Sequence, residues 1–360
     1  MSGHMLEVSD LHVSFDTYAG EVHAVRGVSF HLDAGETLAI VGESGCGKSV
    51  TVQTLMRLNE EPPARIKRGS IVYKGEELVD KTNREMQAYR GSEFAMIFQD
   101  AMTSLNPLMR VGNQIVEAIR AHERDIPKKE ARERAIEMLG RVGLPNPEEV
   151  YTRYPHTMSG GQRQRAMIAM ALACHPSILI ADEPTTALDV TTQAQILRLM
   201  QDIQKETGCG IILITHNLGV VARMADRVDV MYAGKMVEEG TLDEVFYQPK
   251  HPYTWGLLQS MPDLSEQLGG RLRSIPGSPP DLFAPPVGCG FSPRCRYCMK
   301  VCVDHDPEPS AVSDTHAARC WLLDERSGDA VKPPVGDDAE EKTDEVRERA
   351  RQGRREVAYA

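Results

Sequence analysis

Short apolar runs rich in β-branched residues recur along the chain: Leu38–Val41, Phe94–Phe98, Ile178–Ala181 and Ile211–Thr215. Runs this short, bounded by polar or glycine-rich stretches, predict strands covered on both faces. Each leads into chemistry: the first into a glycine-rich loop, the others into Gln99, Asp182 and His216. Val111–His122 and Lys128–Val142 instead place apolar residues at helical spacing with charged opposite faces, and Pro145 and Pro147 break that pattern. Strands that deliver polar groups at their carboxyl ends, alternating with helices, predict an α/β core with a mainly parallel sheet. The helical block, about residues 107–165, reads as an insertion in that core.

The glycine-rich loop is Gly42-Glu43-Ser44-Gly45-Cys46-Gly47-Lys48-Ser49, which fits G-x-x-x-x-G-K-[ST] at every fixed position. Glycines let the backbone approach a phosphate, and successive N–H groups form an anion nest at the start of a helix. Lys48 then reaches the outer phosphates and the Ser49 hydroxyl is placed to ligate Mg²⁺. Asp182 emerges at the end of an apolar strand, where it can hold the same metal, and Glu183 follows as the candidate to polarise an attacking water. Ser159-Gly160-Gly161-Gln162 opens a further helical pattern, with Ser159 as N-cap and the glycines leaving backbone donors open at the positive helix end.

Composition narrows the rest. The chain has 360 residues, 41% of them apolar, enough for a large core with a second, smaller unit. Its net charge of −11 argues against a nucleic-acid binder with a basic surface throughout. No run approaches the roughly 18 apolar residues of a membrane span, and no secretory signal is visible. Residues 5–260 form the expected core and 261–323 an extension, irregular at first and then cysteine-bearing. The charged segment 324–360 reads as a disordered tail.

The Ser-Gly-Gly-Gln run, standing between the phosphate loop and the Asp182-Glu183 strand, resembles the signature of ABC transporter ATPases. That resemblance implies a phosphate-loop ATPase fold with an antiparallel β part and a helical subdomain, using ATP and Mg²⁺. It assigns Gln99 to the loop that senses Mg²⁺ and water, His216 to the switch that contacts the γ-phosphate, and Ala187-Leu188-Asp189 to the dimer seam. Gly42, Ser44, Gly45, Cys46, Gly47, Lys48, Ser49 and Val50 then cradle the nucleotide phosphates, while Ser159, Gly160, Gly161 and Gln162 serve a nucleotide held by a second protomer. Phe15, with Tyr18 as the alternative, is expected to stack on adenine.

Phe98–Pro107, Tyr154-Pro155-His156, His251–Thr254 and Ile275–Pro280 are similar to runs in dipeptide and oligopeptide permease ATPases. This family implies a second ATPase subunit, often a different chain, beneath two membrane-spanning permease subunits. An extracytoplasmic solute-binding protein feeds them, and the ATPases sit on the cytoplasmic face of the inner membrane. Import of nickel or oligosaccharides by the same machine, or a soluble ABC ATPase, are the competing readings. Five cysteines, Cys289-x5-Cys295-x2-Cys298-x3-Cys302-x17-Cys320, suit a soft metal, either zinc or iron–sulfur. The family pattern matches Cys289, Cys295, Cys302 and Cys320 and implies a [4Fe–4S] cluster, leaving Cys298 as an extra thiol. His305 and His316 read as surface residues.

Overall fold

Residues 3–99, 104–186, 188–260 and 275–327 are described by the structure, a computed structural model. Their strands are β1 (Leu6–Thr17), β2 (Gly20–Leu32), β3 (Thr37–Val41), β4 (Ala64–Tyr73), β5 (Glu76–Glu77) and β6 (Phe94–Ile97). The second half adds β7 (Ile178–Asp182), β8 (Gly210–Thr215), β9 (Arg227–Tyr232), β10 (Lys235–Thr241), β11 (Ser310–Ala311) and β12 (Ala317–Ala318). One sheet is antiparallel, in the order β2-β1-β4-β5; the other runs β11-β12-β10-β9-β3-β8-β7-β6. In that larger sheet β9, β3, β8, β7 and β6 are mutually parallel, while β10 and β12 pair antiparallel at one side.

The parallel strands are apolar on both faces because both faces are covered. Ile178 and Ile180 of β7, Ile212 and Ile214 of β8 and Leu38 and Ile40 of β3 enter a cluster shared with the antiparallel sheet. Their alternates, Leu179, Ala181, Ile211 and Leu213, join a second cluster with Ile115, Leu139 and Met167 from the helical block. The alternates of β3, Ala39 and Val41, join a third cluster with Val221 and Tyr253, so period-two alternation assigns these residues to one core or another rather than to core or solvent.

All four strands read from the apolar runs exist with ends shifted by at most a residue, and Phe98 lies just outside its strand. Helices Val111–His122 and Lys128–Arg141 match their predicted spans. Pro147 does not end the helical block. It occupies the first turn of a new helix, Pro147–Thr152, where its missing N–H costs no hydrogen bond.

The C-terminal segment is stitched to the core sheet, since Ala318 and Ala317 of β12 pair with Glu238 and Glu239 of β10. His316 is not a surface residue: it is buried, with Nε2 2.8 Å from a Glu238 carboxylate oxygen. Much of the irregular stretch after Met261, and the charged tail from residue 328 onward, lie outside the described residues. Among those described, no helix is long and apolar enough to cross a membrane.

Candidate active site

β3 delivers the phosphate loop directly into helix Lys48–Leu55. Gly42 has φ 153°, and a Cβ there would meet the Met231 carbonyl oxygen at 2.2 Å; Gly47, at φ 105°, would meet the Ala24 carbonyl oxygen at 2.4 Å. Only glycine permits both approaches. The Lys48 ammonium is buried and donates to the carbonyls of Gly42 (2.7 Å) and Glu43 (2.8 Å), so its charge is held against its own loop. Ser44 and Gly45 are exposed at the rim, Cys46 is buried beneath it, and Ser49 and Val50 are half-buried in the first helical turn.

Three strand ends then converge. The last residue of β7, Asp182, is 4% exposed, and its Oδ1 has no hydrogen-bond partner among the described residues. Burial raises its pKa, opposed by a hydrogen bond from Ser49 and by the charge of Lys48. An orphaned carboxylate oxygen beside a serine hydroxyl fits a divalent cation. Glu183 follows at φ 48°, a left-handed conformation unusual for a glutamate, with its amide donating to Ile214. This turn aims its carboxylate at His216, whose Nδ1 lies 2.9 Å from Oε1, and at Gln99, whose amide donates to Oε2 at 3.2 Å. Burial works against ionisation of Glu183, but hydrogen bonds from His216 and Thr186 outweigh it and hold the pKa below the usual value. The result is an ionised acceptor flanked by a half-exposed imidazole.

Ser159 caps helix Gly160–Leu172 through a reciprocal capping box with Gln162, as the sequence predicts. Ser159 and Gly160 face solvent at the start of that helix. Asp189 caps helix Val190–Thr207; Ala187 lies outside the described residues. Phe15 lies near the end of β1, half-buried against the apolar core, whereas Tyr18 is wholly exposed on the hairpin turn.

Cys289, Cys295, Cys302 and Cys320 line one small cavity with His251, Phe291 and Trp321. Cys298 does not line it and is exposed. Burial, reinforced by the neighbouring thiols, pushes Cys289 and Cys295 up to about 11 and Cys320 to about 12.

A family profile described as ABC transporter matches residues 25–186, and one described as oligopeptide/dipeptide transporter, C-terminal region, matches residues 237–302. The oligopeptide transport ATP-binding protein OppD of Bacillus subtilis is 58% identical over 330 residues, 92% of each chain. The chain belongs to the ABC transporter family. The dipeptide transport ATP-binding protein DppD of the same organism is 55% identical, covering 91% of this chain and 97% of the relative. Among solved structures, the dimeric post-hydrolysis state of the cassette MJ0796, bound to ADP and Pi, superposes with a TM-score of 0.60 at 27% identity. It covers 66% of this chain and 99% of that one. CbiO1 of Clostridium perfringens superposes with a TM-score of 0.58 at 30% identity, covering 68% and 91%. As a member of the peptide-transporter ATPases of this family, the chain is an ATP-hydrolysing subunit that works with membrane permease subunits.

Sequence reasoning missed several residues that shape this ABC site. Gln164 is buried, and its amide donates to the Pro184 carbonyl at 2.7 Å, tying the signature helix to the turn after Glu183. Tyr253 and Arg294 both reach Glu43 from the C-terminal part. Glutamine on a signature helix and arginine beside a cysteine carry no local signal of such pairings.

Proposed function

We propose that this chain is the ATP-hydrolysing subunit of an importer of dipeptides or oligopeptides, held at the cytoplasmic face of the inner membrane. Its partners are a second, different ATPase chain, two membrane-spanning permease subunits and an extracytoplasmic solute-binding protein. The 58% identity to an oligopeptide transport subunit, sustained through the C-terminal region, supports the peptide class.

Glu183 is the general base, and its placement is the observation that carries the mechanism. It accepts a proton from water as that water attacks the γ-phosphorus in line, and the bridging bond to ADP breaks. The hydrogen bonds that keep it ionised keep it competent for this transfer. His216 aligns Glu183 and contacts the γ-phosphate, while Gln99 orients the water between them. Lys48 leaves its loop carbonyls for the β- and γ-phosphates. Asp182, Ser49 and Gln99 would hold Mg²⁺, which neutralises charge on the phosphate oxygens. Phe15 stacks on adenine. The exposed Ser159 and Gly160, with the half-buried Gly161 and Gln162, complete the site of the partner ATPase, so two chains share each reaction centre.

Cys289, Cys295, Cys302 and Cys320 would hold a [4Fe–4S] cluster that supplies a cross-link for the extension.

Reconstitution tests the reading. ATP turnover by the assembled transporter should rise when its binding protein carries peptide. Stimulation by nickel or oligosaccharide instead would reassign the solute.

A further inference from the structure

Glu43 stands at a variable position of the phosphate-loop pattern, yet it is gripped from outside the nucleotide core. Its amide donates to the Tyr253 hydroxyl at 2.8 Å. Its two carboxylate oxygens accept from Arg294, Nη1 at 2.7 Å and Nη2 at 2.9 Å. Its carbonyl, in turn, accepts from Lys48 at 2.8 Å.

Arg294 directly precedes Cys295 in the cysteine-bearing loop, 251 positions from Glu43. Its side chain is 4% exposed, and every arm of the guanidinium is committed. Nε donates to the Pro276 carbonyl at 2.9 Å, Nη1 also to the Tyr232 hydroxyl at 3.1 Å, and Nη2 also to the Ile275 carbonyl at 3.3 Å. The group lies 5.7 Å from the Tyr232 ring centroid and 5.9 Å from that of Phe291. A bidentate pair held this way fixes direction as well as distance. A phosphate loop binds through the directions of its N–H groups, so a loop anchored at Glu43 orders less on binding than a free one.

We propose that Arg294 is a positioning residue for nucleotide binding: through its bidentate grip on Glu43, the cysteine-bearing loop sets the phosphate-loop backbone and with it the affinity for ATP. The inference rests on residues 42–49 being the ATP site, which wild-type turnover in the same preparation tests by itself.

The experiment compares Arg294→Gln, Glu43→Gln and the double variant in the assembled transporter, with MgATP kinetics and iron per chain measured on each. Loss of pre-ordering weakens ground-state and transition-state binding alike, so KM should rise about tenfold with kcat within about twofold. The double variant should be no worse than either single one, because both remove the same pair. Glu43→Gln leaves the cysteine loop untouched and decides the matter alone if Arg294→Gln does not fold. A wild-type KM in Glu43→Gln, additive effects in the double variant, or a KM rise only where iron is lost would each overturn the proposal.

Discussion

His216 Nδ1 lies 2.9 Å from Glu183 Oε1, and the two residues stand at the ends of adjacent parallel strands, β8 and β7. The parallel register brings both strand ends to one edge of the sheet, which is where the left-handed turn at Glu183 aims its carboxylate.

Glu183→Gln keeps the shape of this arrangement but removes the proton acceptor. Phosphate release should fall by about 10²-fold or more, while ATP still binds and a closed ATPase pair accumulates. Single-turnover phosphate release together with size analysis of the ATP-bound pair measures this; unchanged turnover in the assembled transporter would refute the general-base role.

Gly161→Ala should act differently. The added methyl would meet Thr192 Cγ2 at 2.9 Å and push the helix start out of line. Hydrolysis should drop about 10²-fold, as when one aligned donor is lost, with the chain's own ATP affinity nearly unchanged. Equilibrium nucleotide binding alongside turnover separates the two effects, and a parallel loss of affinity would argue against a site completed by the partner.

Cys298→Ser and Cys302→Ser should part company. Purified without oxygen, the first should stay brown with wild-type iron and sulfide, because Cys298 is exposed and outside the cavity. The second should lose most of both. Equal retention of metal in the two variants, or zinc in place of iron, would contradict the assignment.

Asp229 is fully buried on β9, without a hydrogen bond to either oxygen among the described residues, and burial raises its pKa to about 8, opposed by the charge of Arg227 and helped by Glu239 and Glu36. A carboxyl that binds its proton more tightly when folded costs stability as pH rises from the ordinary carboxyl range toward 8, since the unfolded chain has already released that proton. Asp229→Asn should flatten this slope, so its melting temperature should gain on wild type between pH 5 and pH 8. Parallel melting curves across that range would show the titration lies elsewhere.

The nucleotide site was legible because its signals are local. An apolar run of four or five residues marks a buried strand, and the residue after it must emerge at the sheet edge. Lys48, Asp182 and Glu183 could therefore be singled out before any fold was known, whereas Gln99 and His216, at ordinary strand ends, took their expected roles only from the family resemblance. The helical block was equally readable from its 3.6-residue spacing, apart from Pro147, which punctuates either the end or the start of a helix.

Tertiary structure decided what spacing leaves open. Spacing alone does not rank the five cysteines; the family pattern set Cys298 apart, and burial agrees, with the other four lining one cavity and Cys298 in solvent. His316 looked like a surface residue until β12 paired with β10 and carried it onto Glu238. Arg294 and Glu43 meet across 251 positions because the chain folds back over its first loop. By itself the sequence determined the elements and the chemistry at their ends, since backbone periodicity and turn geometry act over a few residues. Which distant side chains meet depends on which faces the folded chain buries against each other, and only the tertiary structure decides that.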